Sequence, residues 1–208
     1  MRKLIATGAI VIAGFSSVAP GAASAHEPTD RTLADILLAD SSKDHPDGFD
    51  RRSWDYDIVT QAVLLFPDLV EAASNPDAEL TVFLPNDRAF RDLVEEITGE
   101  RIRSEADVFA AVASLGTDTV KNVLLYHIVP ASISFRDAKR SDGAVLDTFL
   151  EGSTIEVDVN GRRLKNVTLI DADTDDHDPR VVQGNVGGAA TNGYAHGIDR
   201  VLRPIDLP

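Results

Sequence analysis

The sequence predicts an α+β domain, in which a mainly antiparallel or mixed β-sheet packs against a segregated set of helices. Three observations carry this. Apolar residues recur with helical spacing through the first half of the chain. They alternate with period two through the second half, around two Asn-Gly pairs. One β-rich run, Thr81 to Leu84, stands early, directly before a helical pattern. Helices first and strands later is the order expected when helices cover one side of a sheet.

Each element has its own signal. In "PTDRTLADILLAD", Leu33, Ile36 and Leu37 share a face, with Thr29 or Asp30 as cap. The stretch from Ser41 to Asp57 is polar and has no period. Its Phe49, Trp54 and Tyr56 mark it as an ordered loop rather than a linker. Ile58, Val59, Ala62, Val63 and Phe66 form the next helical face, which Pro67 interrupts before "DLVEAAS". After the strand "ELTVFLP", Phe90, Leu93, Val94 and Ile97 lie at i, i+3, i+4 and i+7. Asn86 or Asp87 caps that helix and Gly99 stops it. Ser104 with Asp107 opens another helix as a capping box, and Gly116 closes it. "TDTVKNVLLYHIVP" is a further helix ended by Pro130, with Val120, Val123, Leu124 and His127 on one face. Then Ile155, Val157 and Val159 lead through Asn160-Gly161 to Leu164, Val167 and Leu169, a hairpin. A second hairpin is expected around Asn192-Gly193, with positive φ at both positions.

The chain has 208 residues, 43% of them hydrophobic, which suits one globular domain. Residues 1–25 read as a leader: Arg2 and Lys3, an apolar run from Leu4, then Ala23-Ser24-Ala25. Cleavage after Ala25 is expected, leaving a secreted domain over 26–208 with an insertion loop at about 41–57. No later segment is expected to enter a membrane. There is no cysteine, so an exported chain must rest on its apolar core, and thiolate chemistry is excluded. The leader holds two of the 20 basic residues and none of the 34 acidic ones, so 18 against 34 leaves a charge of −16. That opposes nucleic acid and anionic membrane surfaces and favours basic partners or divalent cations.

Three blocks stand in a recognisable order. "TVFLPNDRAF" resembles the opening signature of the fasciclin (FAS1) domain, a Thr-x-Phe-x-Pro segment whose helix closes on Ala-Phe. "NVLLYHIVP" resembles its central Tyr-His segment. "NGYAHGIDRVLRP" resembles its closing segment, Asn-Gly, then His, then Ile-Asp-x-Val-Leu-x-Pro. The resemblance runs from about Thr32 to Pro204. The chain departs from it in the long 41–57 loop, in Leu84 and Asn86 around Pro85, and in the acidic "DADTDDHDP". The resemblance implies a wedge of β-strands packed with helices, outside the cell, used in adhesion and matrix contact. It implies protein partners at the cell surface or matrix, or polysaccharide, and no shared enzymatic activity; no cofactor is expected. A fold does not by itself license a function.

The resemblance makes Tyr126 and His127 candidates for partner recognition. Their own chemistry points to scaffold: helical neighbours diverge by about 100°, and a buried phenol or imidazole needs a partner. His127 is expected to donate to a backbone carbonyl or a carboxylate. Pro85, Phe90, Asn192, Gly193 and His196 read as structural, with His196 on the strand face of Tyr194 and Ile198. A secreted hydrolase is the rival from another class, since the chain has five His and many Asp and Ser. It has no Gly-x-Ser-x-Gly elbow. Asp171, Asp173 and Asp175 open like a calcium loop, but the sixth position is Asp176, not Gly, and the twelfth is Val182, not Glu. They are a weak calcium candidate; "SWDYD" with Asp50 is weaker. Phe49, Trp54 and Tyr56 suit either a sugar platform or the packing of the loop onto the domain. Asn166 in "NVT" is a formal glycosylation acceptor.

Overall fold

The protein's structure, a computed structural model, describes residues 30–41, 48–50, 52–161 and 166–205. Residues 1–25, the expected leader, together with Thr29, His45, Leu164 and the last three residues, lie outside them. Six helices come first: α1 (Leu33–Ser41), α2 (Asp57–Leu64), α3 (Pro67–Ser74), α4 (Asp87–Thr98), α5 (Glu105–Ser114) and α6 (Thr117–Tyr126). Strand β1 (Leu80–Pro85) falls between α3 and α4. Then come β2 (Ile128–Val129), the single turn α7 (Phe135–Ala138), β3 (Ala144–Asp147), β4 (Thr154–Asn160), β5 (Asn166–Ile170), β6 (Val181–Gln183), β7 (Ala189–Ala190) and β8 (Gly193–Ile198).

The strands form two sheets. The larger runs β2-β1-β8-β6, with β7 also on β8, and the smaller runs β3-β4-β5. β1 and β8 pair in parallel, while the other pairings are antiparallel. The architecture is α+β, as the periods require. β1 is buried along its whole length, which explains its unbroken apolar run. Leu80, Val82 and Leu84 join α1 to α6 in one core, and Phe83 faces the other way, with Ile155, Val157, Val167 and Leu169 of the small sheet. The period of two has thus put a core on each face of the central pair.

Local signals place most boundaries. Asn86 Oδ1 accepts from Ala89 N–H at the start of α4, and Gly99 closes that helix at φ 70°. Ser104 Oγ accepts from Asp107 N–H at 3.3 Å. At α1 the cap is neither Thr29 nor Asp30: Thr32 Oγ1 accepts from Asp35 N–H, and the Asp35 carboxylate accepts from Thr32 N–H. α2 stops at Leu64, so Phe66 is not helical. It stands extended at φ −122°, ψ 93°, because the residue before a proline is barred from the helical region.

Three expectations fail for reasons of tertiary packing. The helix of "NVLLYHIVP" ends at Tyr126, and Ile128 and Val129 leave it to pair with Val82 and Thr81. The β4–β5 hairpin does not turn at Asn160-Gly161: Asn160 pairs with Asn166, and Val157 with Leu169. A two-residue turn there would set Asn166 against buried Ile155 and point Val167 and Leu169 outward, so burial sets the register. In the second hairpin Ala190 pairs with Gly193, making Thr191-Asn192 the turn. Gly193 has φ 141°, but Asn192 does not have positive φ.

Candidate functional site

α6 delivers the Tyr-His pair to the seam between the two cores. Tyr126 enters the small-sheet core, is 0% exposed, and donates its hydroxyl to Thr154 O at 2.8 Å. Burial pushes its phenol up to about 12. His127 is 3% exposed and points elsewhere. Its Nδ1 donates to Val123 O at 2.7 Å, taking over a carbonyl that α6 leaves open as it ends. Its Nε2 accepts from Leu202 N–H at 3.0 Å, which tethers the closing segment. Burial holds this imidazole down, to about 4, so it is neutral at ordinary pH. Tyr126 is closed to any partner, and His127 shows only a sliver of its surface, in the wall of a groove. An apolar groove of about 470 Å³ runs beside the pair, lined by Leu115, Val123, Leu150 and Ile205 among others.

β8 carries the second imidazole. His196 is 0% exposed, 6.0 Å between ring centroids from both Phe83 and Phe135, and stacked with Tyr194. Its Nδ1 accepts from Asn185 N–H at 3.1 Å and its Nε2 donates to Ile133 O at 2.9 Å. Burial lowers its pKa too. All four ring nitrogens of the two histidines therefore face main-chain groups. Asn192 works in the same way. Its Oδ1 accepts from Leu33 N–H, and its Nδ2 donates to Ala73 O and Asn75 O, so one side chain joins α1, α3 and β8. Pro85 ends β1 opposite Ile198, and Phe90 is buried in the helical core.

The acidic run is occupied by arginine and backbone rather than gathered around an empty centre. Asp173 is 3% exposed and pairs with Arg203 at 3.1 Å, and Arg203 also reaches Asp176 and Glu96. Asp171 accepts from the N–H groups of Arg203 and Asp173; burial nevertheless pushes it up, to about 6. Asp173 Oδ1 accepts from Asp175 N–H. Among the described residues, the carboxylates that converge are others: Asp50, Asp55, Asp57, Asp87 and Glu105. The sequence makes the acidic pattern around Asp50 a weaker candidate than the 171–175 run, and the structure reverses that order. Asp87 and Glu105 had no signal beyond their places at helix starts.

In the long loop, Phe49 packs on Phe109 with centroids 5.6 Å apart, and Tyr56 is buried with its hydroxyl on Gln183. Trp54 differs: it is 61% exposed, with Arg88 over its ring, and it flanks an open cleft of about 930 Å³.

Among solved structures, the chain is similar to a FAS1 domain pair from the insect cell adhesion molecule fasciclin I. The identity is 17% and the TM-score 0.57, over 83% of this chain and 51% of that one, so this chain spans about half its length. At that identity the likeness shows the fold. No curated protein matches. The family model for the fasciclin domain matches residues 57–204, more than half of the chain, and includes all three sequence blocks in full. The chain belongs to the fasciclin-domain family.

Proposed function

We propose that the protein is a non-catalytic binding module that works outside the cell, joining cell-surface, envelope or matrix proteins. One observation carries the reading. The two imidazoles of the family blocks, His127 and His196, are bonded through every ring nitrogen to the main chain. A general base must reach the proton it takes, and neither ring has a nitrogen to spare. The family is one of adhesion modules, and the leader-like pattern of residues 1–25 supports export. A charge of −14 over the whole chain favours partners with basic surface.

The test is adhesion. Beads coated with the purified chain should retain cells or envelope and matrix protein above uncoated beads, and salt should weaken the attachment. Equal retention on both kinds of bead defeats the reading. A second reading, polysaccharide recognition, is favoured by exposed Trp54 beside its cleft. A glycan array decides it: binding that disappears in Trp54→Ala supports the sugar reading, and an empty array rejects it.

A further inference from the structure

Beneath the cleft flanked by Trp54, three elements bring acids together that are far apart in the chain. Asp55 comes from the long loop, Asp87 from the first turn of α4, and Glu105 from the first residue of α5. One carboxylate oxygen of each lies within 4.8 Å of the others. Asp87 is 0% exposed and Glu105 2%. Asp87 Oδ1 accepts from Ile58 N–H at 2.9 Å, and Glu105 Oε1 pairs with Arg91 at 2.5 Å. The remaining oxygens, Asp87 Oδ2, Glu105 Oε2 and Asp55 Oδ1, are buried and receive no N–H or hydroxyl donor, and Asp87 and Asp55 can bond to each other only by holding a proton between their carboxyls. Buried carboxylate oxygen is costly unless it is paired or ligates a metal.

The second triad, Asp50, Asp57 and Glu105, is more fully used. Asp50 pairs with Arg52 at 3.5 Å, and Asp57 Oδ2 accepts from Asp50 N–H at 3.0 Å. Arg91 is also committed elsewhere, because its Nη1 donates to Ser53 Oγ. We propose that Asp55, Asp87 and Glu105 bind a hard divalent cation, calcium or magnesium, beneath this cleft. The donors are all carboxylate oxygens, which suits hard cations and not zinc or copper. Ser53, Arg91 and Glu105 line the cleft, which gives the ion a route from solvent. Bound there, the ion ties the loop before α2 to the starts of α4 and α5.

The chain's single Trp is the neighbour of Asp55, which makes a selective probe. The full chain, stripped with EDTA, is titrated with terbium under tryptophan excitation. Sensitised emission is expected, and calcium or magnesium should quench it by displacement. Either ion should also raise the melting temperature of the stripped chain. Both effects should be lost in Glu105→Gln and in Asp55→Asn, and kept in Asp175→Asn of the other acidic run. The wild-type titrations decide the matter if a variant fails to fold. No emission, together with a melting temperature indifferent to millimolar calcium and magnesium, overturns the proposal. So does emission that persists in folded Glu105→Gln.

Discussion

The backbone N–H of Leu202 donates to Nε2 of His127 across 75 residues of sequence. The bond exists only while the ring is neutral, because a protonated imidazole has no acceptor. The unfolded ring protonates at its ordinary 6.5, whereas burial holds the folded one at about 4. Between those values the unfolded chain binds the extra proton. Stability from this site is therefore complete above pH 6.5 and is lost as pH falls toward 4. Each pH unit in that window is worth at most about 1.4 kcal/mol. Asp171, whose carboxyl is raised to about 6, acts in the opposite sense, so the difference between variants is the useful quantity. His127→Gln keeps an acceptor but cannot titrate. Urea unfolding at several pH values should show the wild type losing ground to it as pH falls from 6.5. Parallel stability curves would contradict the assignment.

Gly193 is fixed by the parallel pairing of β8 with Leu80. A Cβ there would fall inside the contact radius of Leu80 O, and the backbone sits at φ 141°. The obstacle is main chain, which cannot swing aside. Gly193→Ala should cost on the order of 3 kcal/mol, from overpacking and backbone strain together. Thermal unfolding measures it, and a loss under 1 kcal/mol would mean that β1 and β8 separate more easily than their register implies.

Local features were legible in the sequence. Asn86, Gly99 and Ser104 act on backbone groups within three or four residues, so their roles follow from residue type and spacing. The alternation of Ile155 with Val157, and of Val167 with Leu169, identified the strands for the same reason. Their register was not legible, because it depends on which face is buried across two strands. α7 and β3 carried too few residues to establish a period. The Asp55, Asp87 and Glu105 cluster was hidden for a different reason. Each acid reads alone as a loop or first-turn residue, and only tertiary packing makes the three neighbours. The acidic run at 171–176 was misleading because its counter-ion, Arg203, arrives from some 30 residues away.

Asn192 satisfies three backbone groups, one at the start of α1 and two at the end of α3. Asn192→Ala removes the acceptor for Leu33 N–H and both donors to the end of α3. Unpaired buried groups cost about 1–3 kcal/mol each, less where water enters. The variant should lose roughly 3 kcal/mol, and amide exchange at Leu33 should accelerate. Asn192→Asp, which keeps the acceptor and loses the donors, should fall between. Exchange at Leu33 that stays slow in Asn192→Ala would show that this bond does not secure α1.

Arg203 is the cation of a clamp with Asp173, Asp176 and Glu96. Burial alone would raise the Asp173 carboxyl, but the Arg203 guanidinium outweighs it and holds the group below its ordinary value. Arg203→Met keeps the aliphatic bulk and leaves Asp173 buried without its counter-ion. Breaking such a pair from one side costs about 3–5 kcal/mol. Adding Asp173→Asn to that variant removes the stranded charge and should recover part of the loss, a coupling that a double-mutant cycle reads directly. Both side chains are largely shielded from solvent, 10% and 1% exposed, so molar salt should change the coupling little. A pair that behaved like a surface bridge, with coupling under 1 kcal/mol and abolished by salt, would mean that the 171–176 loop opens in solution and frees its carboxylates for another ligand.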